Sequence, residues 1–297
     1  AWRATQVGTI RGVTIGPIEN GLHVSRGYGS EAFARSVHEI KRMGGTWVSL
    51  TPFGRVWDLQ PAGIARDFEQ PFSTNRANVL AAIEMAHAEG LRVLIVPHLW
   101  VETGGWRGEL ELGDDAKWAR FARDYEEFVA TWAKVAQEGH ADMLAAGVEL
   151  RSWLTTTRAP SFERVLERIR REYSGLVTYA GNWDDIEQTV ILQNVDVIGL
   201  NAFFPLTQQE GATVEELLVG AKEVAERLEA LANRWQKPVM FCEFGYTSRE
   251  DAALRPWEWP EHLGQVQIDE QAQADAYQAL LAPLLTRPWF AGFFVWR

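Results

Sequence analysis

Short apolar runs rich in Val, Ile, Leu and aromatic residues alternate along the chain with longer stretches whose apolar positions recur at helical spacing. Eight such runs predict strands, at 12–17, 46–53, 92–100, 144–150, 177–182, 195–203, 238–246 and 291–296. Helical periodicity predicts helices over 30–43, 75–89, 114–138, 161–173, 214–235 and 270–285, with a weaker helical signal over 184–193. Ser30, Asp114 and Ser161 read as N-caps, and Gly44, Gly90 and Gly139 stand where left-handed C-caps belong. Strands that are apolar almost throughout are buried on both faces, which is the mark of a parallel sheet. Eight strand and helix units predict an α/β fold, a single-domain (β/α)8 TIM barrel over residues 1–297. The chain stops at Arg297 directly after the eighth run, so the helix that ordinarily follows strand eight is expected to be lacking.

A length of 297 residues and an apolar fraction of 46% suit one such barrel. The formal charge of −11 disfavours phosphate backbones and anionic membrane surfaces, so neither nucleic acid nor a membrane is expected as a partner, and a monomer is expected. No apolar stretch is long enough to span a bilayer, and the N-terminal residues do not read as a signal peptide. The single cysteine, Cys242, excludes an intrachain disulfide and reads as a small buried thiol. Fourteen tryptophans are many for such a chain. Some fill the core, but several fall at strand ends or in loops, where a flat apolar face with an N–H edge suits stacking on sugar rings.

Active groups of barrels gather at the C-terminal ends of the strands. The polar residues there are few: His98 on the third strand, Glu149 on the fourth, Asn182 on the fifth, Asn201 on the sixth and Glu243 on the seventh. Two glutamates on opposite parts of the mouth are the minimum for glycoside hydrolysis, and a retaining mechanism needs their carboxyl groups about 5–5.5 Å apart. The competing reading pairs either glutamate with an arginine, Arg151 and Arg249 being near in sequence. His98 is read as a donor to the nucleophile, a donor to a sugar hydroxyl, or a satisfied structural histidine; Asn182 and Asn201 either bind sugar hydroxyls or close turns. Trp100, Trp183 and Trp296 are stacking candidates, Trp296 the best placed, with Trp106, Trp257 and Trp259 as further loop candidates. No metal site is expected, since His98 and Glu102 are merely near in sequence and His23, His38, His87, His140 and His262 are scattered. Gly27-Tyr28-Gly29 is a poor phosphate-loop signal, and no cofactor is expected.

These strand ends resemble those of clan A retaining glycosidases and, more narrowly, glycoside hydrolase family 113, whose characterised members are endo-β-1,4-mannanases. The resemblance runs through Val96-Pro-His-Leu-Trp100, Gly105-Trp-Arg-Gly108, Gly147-Val-Glu-Leu150, Tyr179-Ala-Gly-Asn-Trp183, Asn201-Ala-Phe-Phe-Pro-Leu206, the stretch from Lys237 to Tyr246, and Phe294-Val-Trp296. It implies Glu149 as acid/base and Glu243 as nucleophile. Two positions depart from the family. Phe203 stands where a tyrosine commonly donates to the nucleophile, a role Tyr246 is read as able to take over. Val148 stands where a polar residue commonly precedes the acid/base.

The leading expectation is a retaining, endo-acting hydrolase of a β-linked polysaccharide, β-1,4-mannan first, working by double displacement. Three alternatives stand beside it. One is the same machinery on a glucan, a hexosamine polymer or peptidoglycan; another is a carbohydrate-binding pseudoenzyme; the third is a structural barrel whose tryptophans are buried. Polymers too large to enter a cell are cut outside it, so a secreted or periplasmic location is expected.

Overall fold

The computed structural model describes residues 9–16, 25–258 and 267–296. Pro17, His23, Trp259, Pro260, His262 and Arg297 lie outside the described residues. Ten strands are present among those described: β1 (Ile10–Ile15), β2 (Trp47–Leu50), β3 (Phe53–Val56), β4 (Arg92–Ile95), β5 (His98–Val101), β6 (Met143–Val148), β7 (Leu176–Asn182), β8 (Val197–Asn201), β9 (Val239–Phe244) and β10 (Phe290–Val295). Eight of them, β1, β2, β4, β6, β7, β8, β9 and β10, close in that order into a barrel in which every pairing is parallel.

Two of the eight predicted runs are interrupted. Pro52 and Pro97 lack an N–H for the ladder, and beyond each one the chain leaves the barrel wall. The departing segments pair with each other as β3 and β5, Phe53 opposite His98 and Val56 opposite Val101, with the His98 N–H donating to the Pro52 carbonyl at 2.9 Å. The outcome is a two-stranded parallel sheet standing on the mouth of the barrel.

The barrel interior is filled. Trp47, Leu94, Met143, Val197, Met240 and Phe294 interdigitate there, Trp47 meeting Phe294 edge-on at 6.1 Å. Cys242 is buried among them, and burial pushes its thiol far above the ordinary range, which suits packing and not nucleophilic attack. Outward-facing strand residues such as Val48, Ile95, Ile198 and Phe241 pack beneath the helices. Each fully buried aliphatic or aromatic side chain contributes about 1.5–3 kcal/mol.

The helices are α1 (Glu31–Arg42), α2 (Phe72–Ala88), α3 (Asp115–Glu138), a short α4 (Arg151–Leu154), α5 (Glu163–Glu172), α6 (Val214–Trp235) and α7 (Glu270–Leu284). Ser30 and Asp114 cap α1 and α3 by accepting from Phe33 and Lys117 N–H groups. Ser161 does not cap α5. It lies in a 3-10 turn, Ala159–Phe162, where its hydroxyl accepts from the Trp153 indole at 2.8 Å and donates to the Arg158 carbonyl. Gly44 and Gly90 are left-handed as predicted, but at the end of α3 the left-handed residue is His140, one position after Gly139. The stretch over 184–193 forms two 3-10 turns, Ile186–Gln188 and Val190–Asn194. Strand β10 is the last element among the described residues.

Candidate active site

Glu149 and Glu243 end β6 and β9 on the C-terminal face of the barrel, and each is 8% exposed. Glu149 is the first residue beyond β6 and has a positive φ of 50°, which costs a non-glycine residue about 1–2 kcal/mol. Neighbouring groups hold it there: its N–H donates to the Ala180 carbonyl at 2.8 Å, and the Leu150 N–H donates to the Tyr179 hydroxyl at 2.8 Å. The strained turn aims the carboxylate across the mouth. Its Oε2 accepts from the Trp106 indole at 2.7 Å and from Arg107 Nη1 at 2.9 Å, and its Oε1 accepts from Asn201 Nδ2 at 3.0 Å.

The arginines nearest the two glutamates in sequence are Arg151 and Arg249. The structure places Arg107 beside Glu149 instead. Arg151 binds Asp184 and Asp185 and lies over the Trp106 ring at 4.5 Å, while Arg249 donates to Thr247 Oγ1 and the Arg255 carbonyl. Trp106 and Arg107 follow Gly104 and Gly105, whose φ values of 83° and 102° only glycine adopts without strain. Arg107 Nε also donates to the Leu99 carbonyl at 3.0 Å, which ties this segment to β5.

Glu243 is carried within β9. Its carbonyl accepts from the Ala202 N–H, and its Cα is the register partner of Asn201. Asn201 therefore links the two glutamates, level with one and donating to the other. Gly245 allows the close approach of β10 that closes the barrel here, since a Cβ on it would stand 1.9 Å from the Trp296 carbonyl oxygen. His98 Nε2 lies 3.4 Å from Glu243 Oε1. Burial is the main cause that drives the imidazole well below its usual titration range; the Arg107 charge adds to this and the Glu149 charge opposes it. His98 is thus a neutral ring beside the Glu243 carboxylate.

The remaining predicted residues separate into groups. Trp100 is 47% exposed, with Phe53 and Phe68 edge-on to it at 5.9 and 6.2 Å. Trp183 is half-buried, stacked under the exposed Trp257 at 5.2 Å and edge-on to Phe204. Trp296 is half-buried at the end of β10, its N–H donating to the Phe244 carbonyl. Asn182 donates to Asp184 at 2.7 Å, a local contact of the turn that follows β7. Phe203 is buried. Tyr246 is also buried, packed edge-on against Tyr277 at 5.4 Å, and its hydroxyl has no hydrogen-bond partner among the described residues. Val148 faces the packed barrel interior, opposite Ala180. The sequence marks Arg107 only by its place beside Trp106 between two glycines. Among the described residues no cluster of three or more metal-ligating side chains exists, and no helix is long and apolar enough to cross a membrane.

A closed parallel barrel with two glutamates at the ends of its fourth and seventh strands, an asparagine that donates to one and is level with the other, and a neutral histidine beside the second, has the build of a barrel glycosidase. The family model of glycoside hydrolase family 113 matches residues 20–297, and the chain belongs to that family. It is a glycoside hydrolase. Among solved structures it is similar to the family 113 β-mannanase AaManA of Alicyclobacillus acidocaldarius in complex with ManMIm, at 25% identity and a TM-score of 0.85, covering 99% of this chain and 88% of that one. A complex of a family 113 β-1,4-mannanase is 22% identical at a TM-score of 0.82, covering 97% and 88%. The β-glucuronidase of Ruminococcus gnavus, 13% identical at a TM-score of 0.65 over 97% of this chain and 43% of that one, shares the fold alone. No curated protein sequence matches the chain.

Proposed function

We propose that the chain is a retaining endo-β-1,4-mannanase in which Glu243 is the nucleophile and Glu149 the acid/base. The observation that carries this reading is the linkage through Asn201, which sets both carboxyl groups on one patch of the barrel mouth. In the first step a Glu243 oxygen bonds to the anomeric carbon while the glycosidic C–O bond breaks, and Glu149 gives its proton to the departing oxygen. In the second, Glu149 takes a proton from water as that water displaces Glu243. Glu149 accepts two hydrogen bonds at Oε2 and one at Oε1, so Oε1 keeps an acceptor site on which the acid form carries its proton. Arg107 and Trp106 both bind Oε2 and so fix the carboxyl group from that side. The mannan assignment is supported by the likeness to AaManA at 25% identity. Cutting so large a polymer calls for a secreted or periplasmic enzyme.

Phe203 and Val148 favour a second reading, the same machinery on another β-linked glycan, because neither supplies the hydrogen bond common at its position. Reducing-sugar release from β-mannan, compared with other β-linked polymers, tests both. Release from mannan that Glu149→Ala and Glu243→Ala each abolish is the expected result. Release confined to a different polymer would replace the substrate while keeping the residues, and oligosaccharide binding without release from any polymer would leave a binding protein in place of an enzyme.

A further inference from the structure

The sheet formed by β3 and β5 presents one row of side chains from each strand on the face that leads away from Glu243. Strand residues two apart share a face, so Phe53 and Arg55 lie with His98 and Trp100, and Trp57 and Glu102 continue the two rows. The contacts agree: Phe53 meets His98 at 5.3 Å and Trp100 at 5.9 Å, and Arg55 pairs with Glu102 at 2.9 Å and with Glu69 at 3.0 Å. His98 forms the inner end of the face, 3.4 Å from Glu243. Trp57 is the outer end and is 67% exposed, among the largest apolar exposures in the described residues. It is not on a loose excursion, because its carbonyl accepts from the Thr103 N–H at 2.9 Å and the Leu59 carbonyl accepts from the Glu111 N–H at 2.9 Å. These bonds bind the segment after β3 to the one that delivers Trp106 and Arg107.

We propose that Trp57 is a distal sugar-binding platform that, with Trp100 and the Arg55–Glu102 pair between them, extends the substrate cleft outward along the β3–β5 sheet. The occupant is a β-linked hexose chain: its apolar C–H faces stack on the two indoles, and its hydroxyls meet the ion-paired guanidinium and carboxylate. The exposure of Trp57 is then that of a binding surface waiting for substrate, continuous with the catalytic mouth. The inference rests on the glycan-cleaving reading, and its test separates the two.

The test compares the intact protein with its Trp57→Ala and Trp57→Phe variants on mannobiose through mannohexaose and on an aryl β-mannoside. The expected result is a KM about three- to tenfold higher for Trp57→Ala on the longest oligosaccharides, the worth of one aromatic stack. The effect fades as the substrate shortens, leaves the aryl mannoside unchanged and is largely restored by Trp57→Phe. An unchanged KM at every length, or an equal rise at every length, overturns the platform while leaving the glycosidase reading intact. Should the intact protein cut none of these substrates, titration of mannohexaose and cellohexaose into it and into Trp57→Ala decides the platform alone: weaker binding by the variant supports it, and equal or absent binding removes it.

Discussion

The two glutamates are equally buried but held by opposite means. Glu243 is part of a strand: its backbone conformation is ordinary, its carbonyl is bonded to the neighbouring strand, and an uncharged histidine ring lies 3.4 Å from its carboxylate. Glu149 stands just off its strand in a strained left-handed conformation, and its carboxylate is gripped by a guanidinium, an indole and an amide drawn from two other parts of the chain. A nucleophile has to be kept on one line of attack, which a strand does well. An acid/base has to exchange a proton twice in each cycle, and three donors on four acceptor sites hold the Glu149 carboxyl while leaving one site open for that proton. Under the proposed assignment, the difference in support follows the difference in task.

The largest effects should come from deleting each carboxylate in turn, and the products should tell the two apart. With an activated aryl β-mannoside, whose leaving group needs no proton, Glu149→Ala should still form the glycosyl-enzyme, and added azide should release a β-mannosyl azide. On mannan the same variant should lose about 10²–10⁴-fold, the usual worth of general acid–base catalysis. Glu243→Ala should fall further on both substrates, and azide should enter from the face the nucleophile vacated and give the α-azide. Product configuration read by NMR checks this. Exchanged configurations would exchange the two roles, and the contrast drawn above would have to be reversed.

Arg107 offers the next largest test. Arg107→Met removes a charge-assisted hydrogen bond from Glu149, worth about 10- to 100-fold. If Arg107 serves the acid/base, kcat/KM should fall by that factor on mannan and hardly at all on the activated aryl substrate. A comparable fall on both substrates would instead assign Arg107 to the Glu243 side, which it also reaches electrostatically through His98.

The barrel was legible in the sequence because parallel strands buried on both faces leave apolar runs that helices do not imitate, and the ends of α6 coincide with the periodic stretch from Val214 to Trp235. The β3–β5 sheet was not, because Pro52 and Pro97 sit inside runs that read as continuous, and a proline shows where a ladder stops without showing where the chain goes next. Ser161 illustrates a local rule overruled: its hydroxyl is taken by the buried Trp153 indole, which needs a partner more than an exposed helix end does. The strand-end glutamates could be found because barrel topology names the places to look. Arg107 could not, since it stands 42 residues from Glu149 and only barrel closure brings the two together.

The smallest effect tests the neutral histidine beside Glu243. Its folded-state titration lies well below the value near 6.5 that it has when exposed. An unfolded chain therefore takes up a proton below pH 6.5 that the folded chain refuses, and the folded state loses stability as pH falls from there toward the folded value; above pH 6.5 the group has no influence. The slope is that of one proton, at most about 1.4 kcal/mol per pH unit. Denaturant unfolding of the native chain and of His98→Gln between pH 7 and pH 5 should show this slope reduced in the variant, with the two curves parallel above pH 7. Arg107→Met should act in the same direction but more weakly, because it removes only the second of the causes that keep the ring neutral. Equal slopes in the native chain and His98→Gln would mean that the ring takes up a proton beside Glu243 as readily as in water. Glu243 would then lie beside a cation, as Glu149 does, and the asymmetry between the two carboxylates would narrow to their backbone conformations and to the indole and amide that hold Glu149.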